Sequence, residues 1–223
     1  MKWNIKRDLL PIGVIIVFII ISLYFYSVLP ETVPSHFNRA GEPDGYSSKT
    51  FLVLFGIGES LFLYLLLTFI PFIDPFWKKI EGKYNLFLLF RDIALMFSLF
   101  IYVLILISAE KGTFEKGAFG IGFGMLFILM GNYLPKLPRN FFFGIRVPWT
   151  LASEVVWKKT HLVSGWLFVI AGAVIILLCL FNVPLDITLL ATLGPVVLFS
   201  ALIYPLYLYK KINKGEGLKS PEL

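Results

Sequence analysis

This chain is poor in the side chains that carry most protein chemistry: of its 223 residues one is cysteine, two are histidine and only 15% are charged. A lone Cys179 excludes an internal disulfide and offers no thiolate set for a metal. No GxSxG, HExxH or Walker sequence occurs, so no nucleophile is seen beside a base and no phosphate cradle is encoded. Internal repeats and low-complexity tracts are also missing. No water-facing stretch is longer than Pro135 to Thr160, which leaves no room for a separate soluble catalytic domain.

What the chain has instead is apolar bulk, with 58% hydrophobic and 17% aromatic residues. Runs at Leu9 to Leu29, Phe51 to Pro71, Leu86 to Ala109, Ala118 to Leu134, Leu162 to Phe181 and Ile187 to Tyr209 are each long enough, at about 1.5 Å per residue, to cross a hydrocarbon core of about 30 Å. Backbone groups in hydrocarbon must bond to one another, and the runs lack the short alternation of a barrel, so they read as helices. The first run follows Lys2, Lys6 and Arg7 as a signal peptide would. It exceeds a typical apolar core of such peptides and has no small-x-small cleavage site, so it reads as a retained anchor.

Of the 20 Lys and Arg residues, all except Arg39, Lys49, Lys111 and Lys116 fall on the side of the membrane that holds both chain ends. The positive-inside rule makes that side cytoplasmic. Attraction to anionic headgroups accounts for the net charge of +6, so it is no argument for nucleic acid. The expected fold is therefore all-α integral membrane: six transmembrane helices in a single membrane domain over 1–223, N-terminus and C-terminus cytoplasmic. An ordered outer loop (30–50) and a cytoplasmic elbow (131–161) with an interfacial helix complete it.

In the outer loop, Pro30 and Pro34 favour extended backbone just before them, Val33 to Asn38 should run extended, and Asn38 to Gly41 can turn. Glu42-Pro43-Asp44-Gly45 is a second turn signal. His36 with Glu31, Glu42 and Asp44 makes a poor metal site, and no metal or cofactor is expected. The spacing of Gly120 and Gly124, and the small residues Gly56, Gly58 and Gly122, read as close helix packing.

Three charges lie at membrane depth. Glu59 falls near the bilayer midplane, and such a group must be protonated, paired or wet. Arg91 and Asp92 sit nearer the cytoplasm, where Arg91 can reach toward water or toward Glu59. A Glu59–Arg91 pair, a protonated Glu59 bonded to a hydroxyl, and a transport or proton-relay role all remain open.

In the elbow, Asn132 ends the fourth span, and Pro135 and Pro138 stop the helix beyond it. Phe141, Phe142 and Phe143 are too apolar to lie in water, and Gly144 permits a turn. Arg146, Pro148 and Trp149 then lead to Thr150, a good N-cap for an interfacial helix that carries the Glu154–Lys158 pair and Trp157 before His161 enters the fifth span. These residues either tie the elbow to the helix ends or present a docking surface.

At LPETVPSHFNRAGEPDGYSSK and GNYLPKLPRNFFFGIRVPWTLASEVVWKKTH the chain resembles the SdpI family of bacterial membrane proteins. The second block follows the family's G-N-Y-x-P-K, N-x-x-x-G-I-R and P-W-T-L pattern. The resemblance implies immunity against a secreted, membrane-active peptide toxin, and capture of a small helix-turn-helix repressor at the bacterial plasma membrane. It further implies that His36, Asn38 and Gly41 belong to an outer sensing loop. Asn132, Pro135, Asn140, Gly144, Arg146, Pro148, Trp149, Thr150, Trp157 and His161 would form the inner partner surface. Two other classes stay in view: a small proton-coupled exporter using Glu59, and an intramembrane hydrolase, which the expected separation of His36 from His161 by the bilayer disfavours.

Overall fold

The computed structural model describes residues 5–38 and 41–215 of the chain. Six helices are long and apolar enough to cross a membrane: Leu9–Val28, Lys49–Phe72, Tyr84–Lys111, Lys116–Lys136, Glu154–Leu180 and Leu185–Asn213. Their regular α-helical parts are α1 (Leu9–Val28), α2 (Lys49–Phe69), α4 (Tyr84–Lys111), α5 (Lys116–Tyr133), α7 (Glu154–Leu180) and α8 (Leu185–Leu198). Short helices α3 (Trp77–Glu81) and α6 (Pro148–Ala152) lie in the connections, and α9 (Tyr204–Gly215) continues the last span. Large apolar side chains such as Leu23, Phe62, Trp166 and Leu190 point outward, more than half exposed. A surface of that kind is stable against acyl chains and not against water.

The fold is not purely helical. Between α1 and α2 stands an antiparallel hairpin of β1 (Thr32–Phe37) and β2 (Pro43–Ser48). At the far end of the strands the Asn38 amide donates to the Glu42 carbonyl at 2.8 Å, the Glu42 amide donates to Asn38 Oδ1 at 3.0 Å, and Gly41 takes φ 91°. The Pro43-Asp44-Gly45 segment, expected to turn, is strand instead. Its register is irregular, with Phe37 opposite Pro43 and His36 opposite Gly45. Proline lacks an amide hydrogen, so it is tolerated at the start of a strand, and the bulge absorbs the rest.

The interfacial helix is also corrected. Thr150 is no N-cap; it lies inside α6, and Ser153 caps α7, its hydroxyl accepting from the Val156 amide at 3.4 Å. From Glu154 the helix runs straight into the fifth span, which therefore begins about two turns earlier than the apolar run suggests. In those turns Trp157 and His161 are buried and bonded to Leu137 and Ile145 of the elbow, so tertiary contacts carry the helix where hydropathy does not.

Helices α1, α2 and α4 pack together, as do α5, α7 and α8, and an α4–α5 contact joins the two groups. Antiparallel α5 and α7 approach most closely along a seam of small residues. A β-carbon on Gly131 would lie 2.6 Å from the Gly165 carbonyl oxygen, and one on Gly124 would lie 2.7 Å from that of Gly172. Backbones at that range gain van der Waals contact that larger side chains would forbid. In the last span, a π-helical turn at Phe199–Ile203 stands between Pro195 and Pro205. The Pro205 ring would crowd the carbonyl four residues earlier, and widening that turn relieves the clash.

Candidate functional site

Three polar regions interrupt the apolar bundle, at its hairpin end, its middle and its elbow end.

At the hairpin end a cleft of about 790 Å³ opens between β1 and the ends of α4, α5 and α8. Phe37, Phe114, Phe119 and Leu185 give it apolar walls, while His36, Asn38, Asn182 and Asp186 bring polar groups to it. Phe37 packs on Phe114, whose ring stacks on Phe119 at 4.5 Å, so the strand is held against the helices by aromatic contact. Ser108 also lines the cleft. It is 1% exposed, and its hydroxyl has no hydrogen-bond partner within the described residues. An unmet buried hydroxyl is costly, and this one lies just behind the wall of the cleft. Of the outer-loop residues singled out from sequence, His36 and Asn38 line this space, and Gly41 sits at its rim against Lys116. The His36 imidazole pairs with Asp44, and Asn38 donates to Glu42 at 3.2 Å, so both are oriented before any ligand arrives.

In the middle, Glu59 accepts the Ser98 hydroxyl, which lies 2.9 and 2.7 Å from its two carboxylate oxygens. It does not pair with Arg91. Helices α2 and α4 are antiparallel, so Thr68 meets Arg91 and Glu59 meets Ser98, with Arg91 and Ser98 about 10 Å apart along α4. The hydroxyl partner is the arrangement found, and the ion pair is not.

Arg91 is fully buried and spends its donors elsewhere. It reaches Asp8 at 2.6 Å, Asp92 at 2.9 Å, Thr68 Oγ1 at 3.1 Å and the Arg7 carbonyl at 3.0 Å, and it lies over the Tyr64 ring. These contacts pin the start of α1 to α2 and α4. Asp8 was not singled out from sequence, although a carboxylate next to Arg7 at the head of an apolar run was the available signal.

At the elbow end, Asn140 is fully buried and binds its own loop. Its amide donates to the Pro138 and Phe143 carbonyls, and its oxygen accepts from the Phe142 and Phe143 amides at 2.9 and 2.6 Å. His161 Nε2 accepts from the Ile145 amide at 3.0 Å, so Nδ1 carries the proton and donates to the Trp157 carbonyl at 2.8 Å. The Trp157 indole donates to the Leu137 carbonyl at 2.9 Å and stacks on His161. The Thr150 hydroxyl sits 2.7 Å from the Ile145 carbonyl while accepting from the Val147 amide. Asp74, missed in the sequence although Asp-Pro is a turn signal, accepts from the Phe76 and Phe141 amides at 2.7 Å each. It ties the α2–α4 connection to the elbow, and a Lys79–Glu154 pair adds a second tie.

The inner residues therefore divide. Asn140, Thr150, Trp157 and His161 are buried braces and present nothing to a partner in this arrangement. Asn132, Arg146 and Pro148 are exposed, and Pro135, Gly144 and Trp149 are half-buried. Arg146 Nη1 donates to the Phe141 carbonyl at 2.9 Å and leaves the rest of its fork outward. Among the described residues no three His, Cys, Asp or Glu side chains converge on a metal position, and His36 and His161 stand at opposite ends of the bundle.

The model of the SdpI/YfhL protein family matches residues 136–208, which take in most of the elbow and the last two spans. A domain of unknown function, DUF1648, matches residues 13–58, which take in most of α1, the hairpin and the first ten residues of α2. The chain is 26% identical over 208 residues to the protein named Immunity protein SdpI of Bacillus subtilis (strain 168), covering 93% of this chain and 98% of that one. No solved structure matches.

Proposed function

We infer that this chain, a multi-pass bacterial membrane protein related to the SdpI/YfhL family, is an immunity protein acting against a secreted, membrane-active peptide toxin. The observation that carries the reading is the end-to-end similarity to an immunity protein, since the relative is covered over almost its whole length. The cleft beside β1 supports it in chemical terms. Apolar walls with a few fixed polar groups suit a hydrophobic peptide whose backbone still needs hydrogen bonds, and the unpartnered Ser108 hydroxyl offers one. In this reading the hairpin end faces the exterior and His36, Asn38 and Gly41 contact the peptide.

Signalling across the bilayer is the finer part of the proposal. The elbow lies in the cytoplasm, and a helix-turn-helix repressor docks on its exposed residues, Asn132, Arg146 and Pro148, and on the half-buried Pro135 and Trp149 beside them. Asn140, Gly144, Thr150, Trp157 and His161 hold the shape that the repressor reads. Peptide binding biases the elbow between two arrangements, and a tenfold change in repressor affinity needs a difference of about 1.4 kcal/mol.

The test is complementation of a Bacillus subtilis strain that lacks its own immunity protein and is exposed to the secreted toxin. Wild-type chain should restore survival, and a cleft-blocking Leu189→Trp variant that still reaches the membrane should not. No protection by the wild type would defeat the immunity reading; protection by both would defeat the cleft. A fluorescently tagged repressor that stays in the cytosol with wild-type chain and toxin present would remove the signalling part alone.

A further inference from the structure

The Glu59–Ser98 pair is set in the wall of a second, separate space. A groove of about 440 Å³ runs along α4 between α2 and α5, lined by Leu63, Leu67, Phe97, Leu126, Met130 and Phe143 besides that pair. Glu59 lies ten residues into α2, about 15 Å along its axis, which is close to the middle of the span. The lining side chains are half-buried except Phe90, so the groove opens sideways at a depth where acyl chains, and not water, are the surroundings.

Two features make this more than a packing defect. Glu59 is the one charged side chain among the described residues that line the groove, and its carboxylate is oriented by Ser98. A carboxylate at this depth is stabilised by an ammonium group far more than by hydrocarbon. Phe143 closes the elbow end of the groove. Its ring packs edge-on against Phe87 at 5.2 Å and lies 5.8 Å from Phe90, while its amide is held by Asn140.

We propose that this lateral groove is a binding site for a membrane-embedded cationic amphiphile: an apolar chain that enters from the bilayer and sets one amine against Glu59. Charge complementarity selects the amine, since a neutral lipid tail gains nothing from the carboxylate. The apolar side chains that line the groove supply the remainder of the contact. The site does not depend on the hairpin cleft or on immunity, because it uses neither the outer loop nor the peptide.

The experiment uses the full chain in phosphatidylcholine nanodiscs. It adds an alkylamine bearing a mid-chain diazirine, and in parallel the uncharged amide of the same length. After irradiation, the amine should label peptides containing Leu63, Phe97 or Leu126 at least tenfold more than the amide does. Glu59→Gln should bring amine labelling down to the amide level, and Leu126→Trp, which fills the groove and keeps the carboxylate, should do the same. Equal labelling by amine and amide in the wild type would show ordinary lipid occupancy and overturn the proposal. So would undiminished amine labelling in Glu59→Gln. Thermal unfolding of both variants identifies any that fail to fold, and Leu126→Trp then decides the case if Glu59→Gln is the one lost.

Discussion

A β-carbon placed on Gly144 would overlap Nε2 of His161, the same atom that receives the Ile145 amide at 3.0 Å. The loop backbone thus rests directly on the first turns of α7. Gly144 also holds φ 94°, a region that favours glycine. The elbow can be this close only because position 144 has no side chain.

Replacing Gly144 by alanine combines backbone strain with displacement of the imidazole. The expected cost is about 2 kcal/mol or more. Thermal unfolding in detergent should show a clearly lowered midpoint, and an unchanged midpoint would mean that the elbow does not lean on α7 in the folded protein.

The buried Arg91–Asp8 pair should behave asymmetrically. Arg91→Met leaves the Asp8 carboxylate in the interior without its partner, at a cost of about 3–5 kcal/mol. The double variant Asp8→Leu with Arg91→Met removes both charges and should recover most of that loss. A double variant no more stable than Arg91→Met alone would show that the stability resides in the other Arg91 contacts, to Asp92, Thr68 and the Arg7 carbonyl.

The α5–α7 seam can be probed with its own control. Gly131→Val drives a side chain into the Gly165 carbonyl and should destabilise by roughly 1–3 kcal/mol. Gly58→Ala, which meets no atom within 4 Å, should leave unfolding unchanged or slightly delayed. If the two variants unfold alike, helix propensity and not backbone approach governs that seam.

Ser108 separates folding from ligand recognition. Its hydroxyl has no partner among the described residues, so Ser108→Ala should not lower the unfolding midpoint. Survival on toxin should nevertheless fall if the peptide bonds to that hydroxyl. A variant that protects as fully as the wild type would exclude Ser108 from the contact.

Sequence by itself determined the number and approximate placement of the six spans, because the length of an apolar run needed to cross hydrocarbon is set by helix rise alone. The helix stops before the elbow were legible too, since Pro acts on its own backbone, whereas the centre of the turn expected at Asn38 to Gly41 lies outside the described residues. The tertiary structure decided which residues meet. Antiparallel registry of α2 and α4 gave Glu59 to Ser98 and left Arg91 for Asp8, 83 positions away. It also turned the elbow's polar residues inward, so that Asn140, Thr150 and His161 satisfy backbone groups that bilayer and loop leave unmet. Hydropathy and turn signals are local properties of the chain, whereas the depth at which two helices face each other depends on how both are packed.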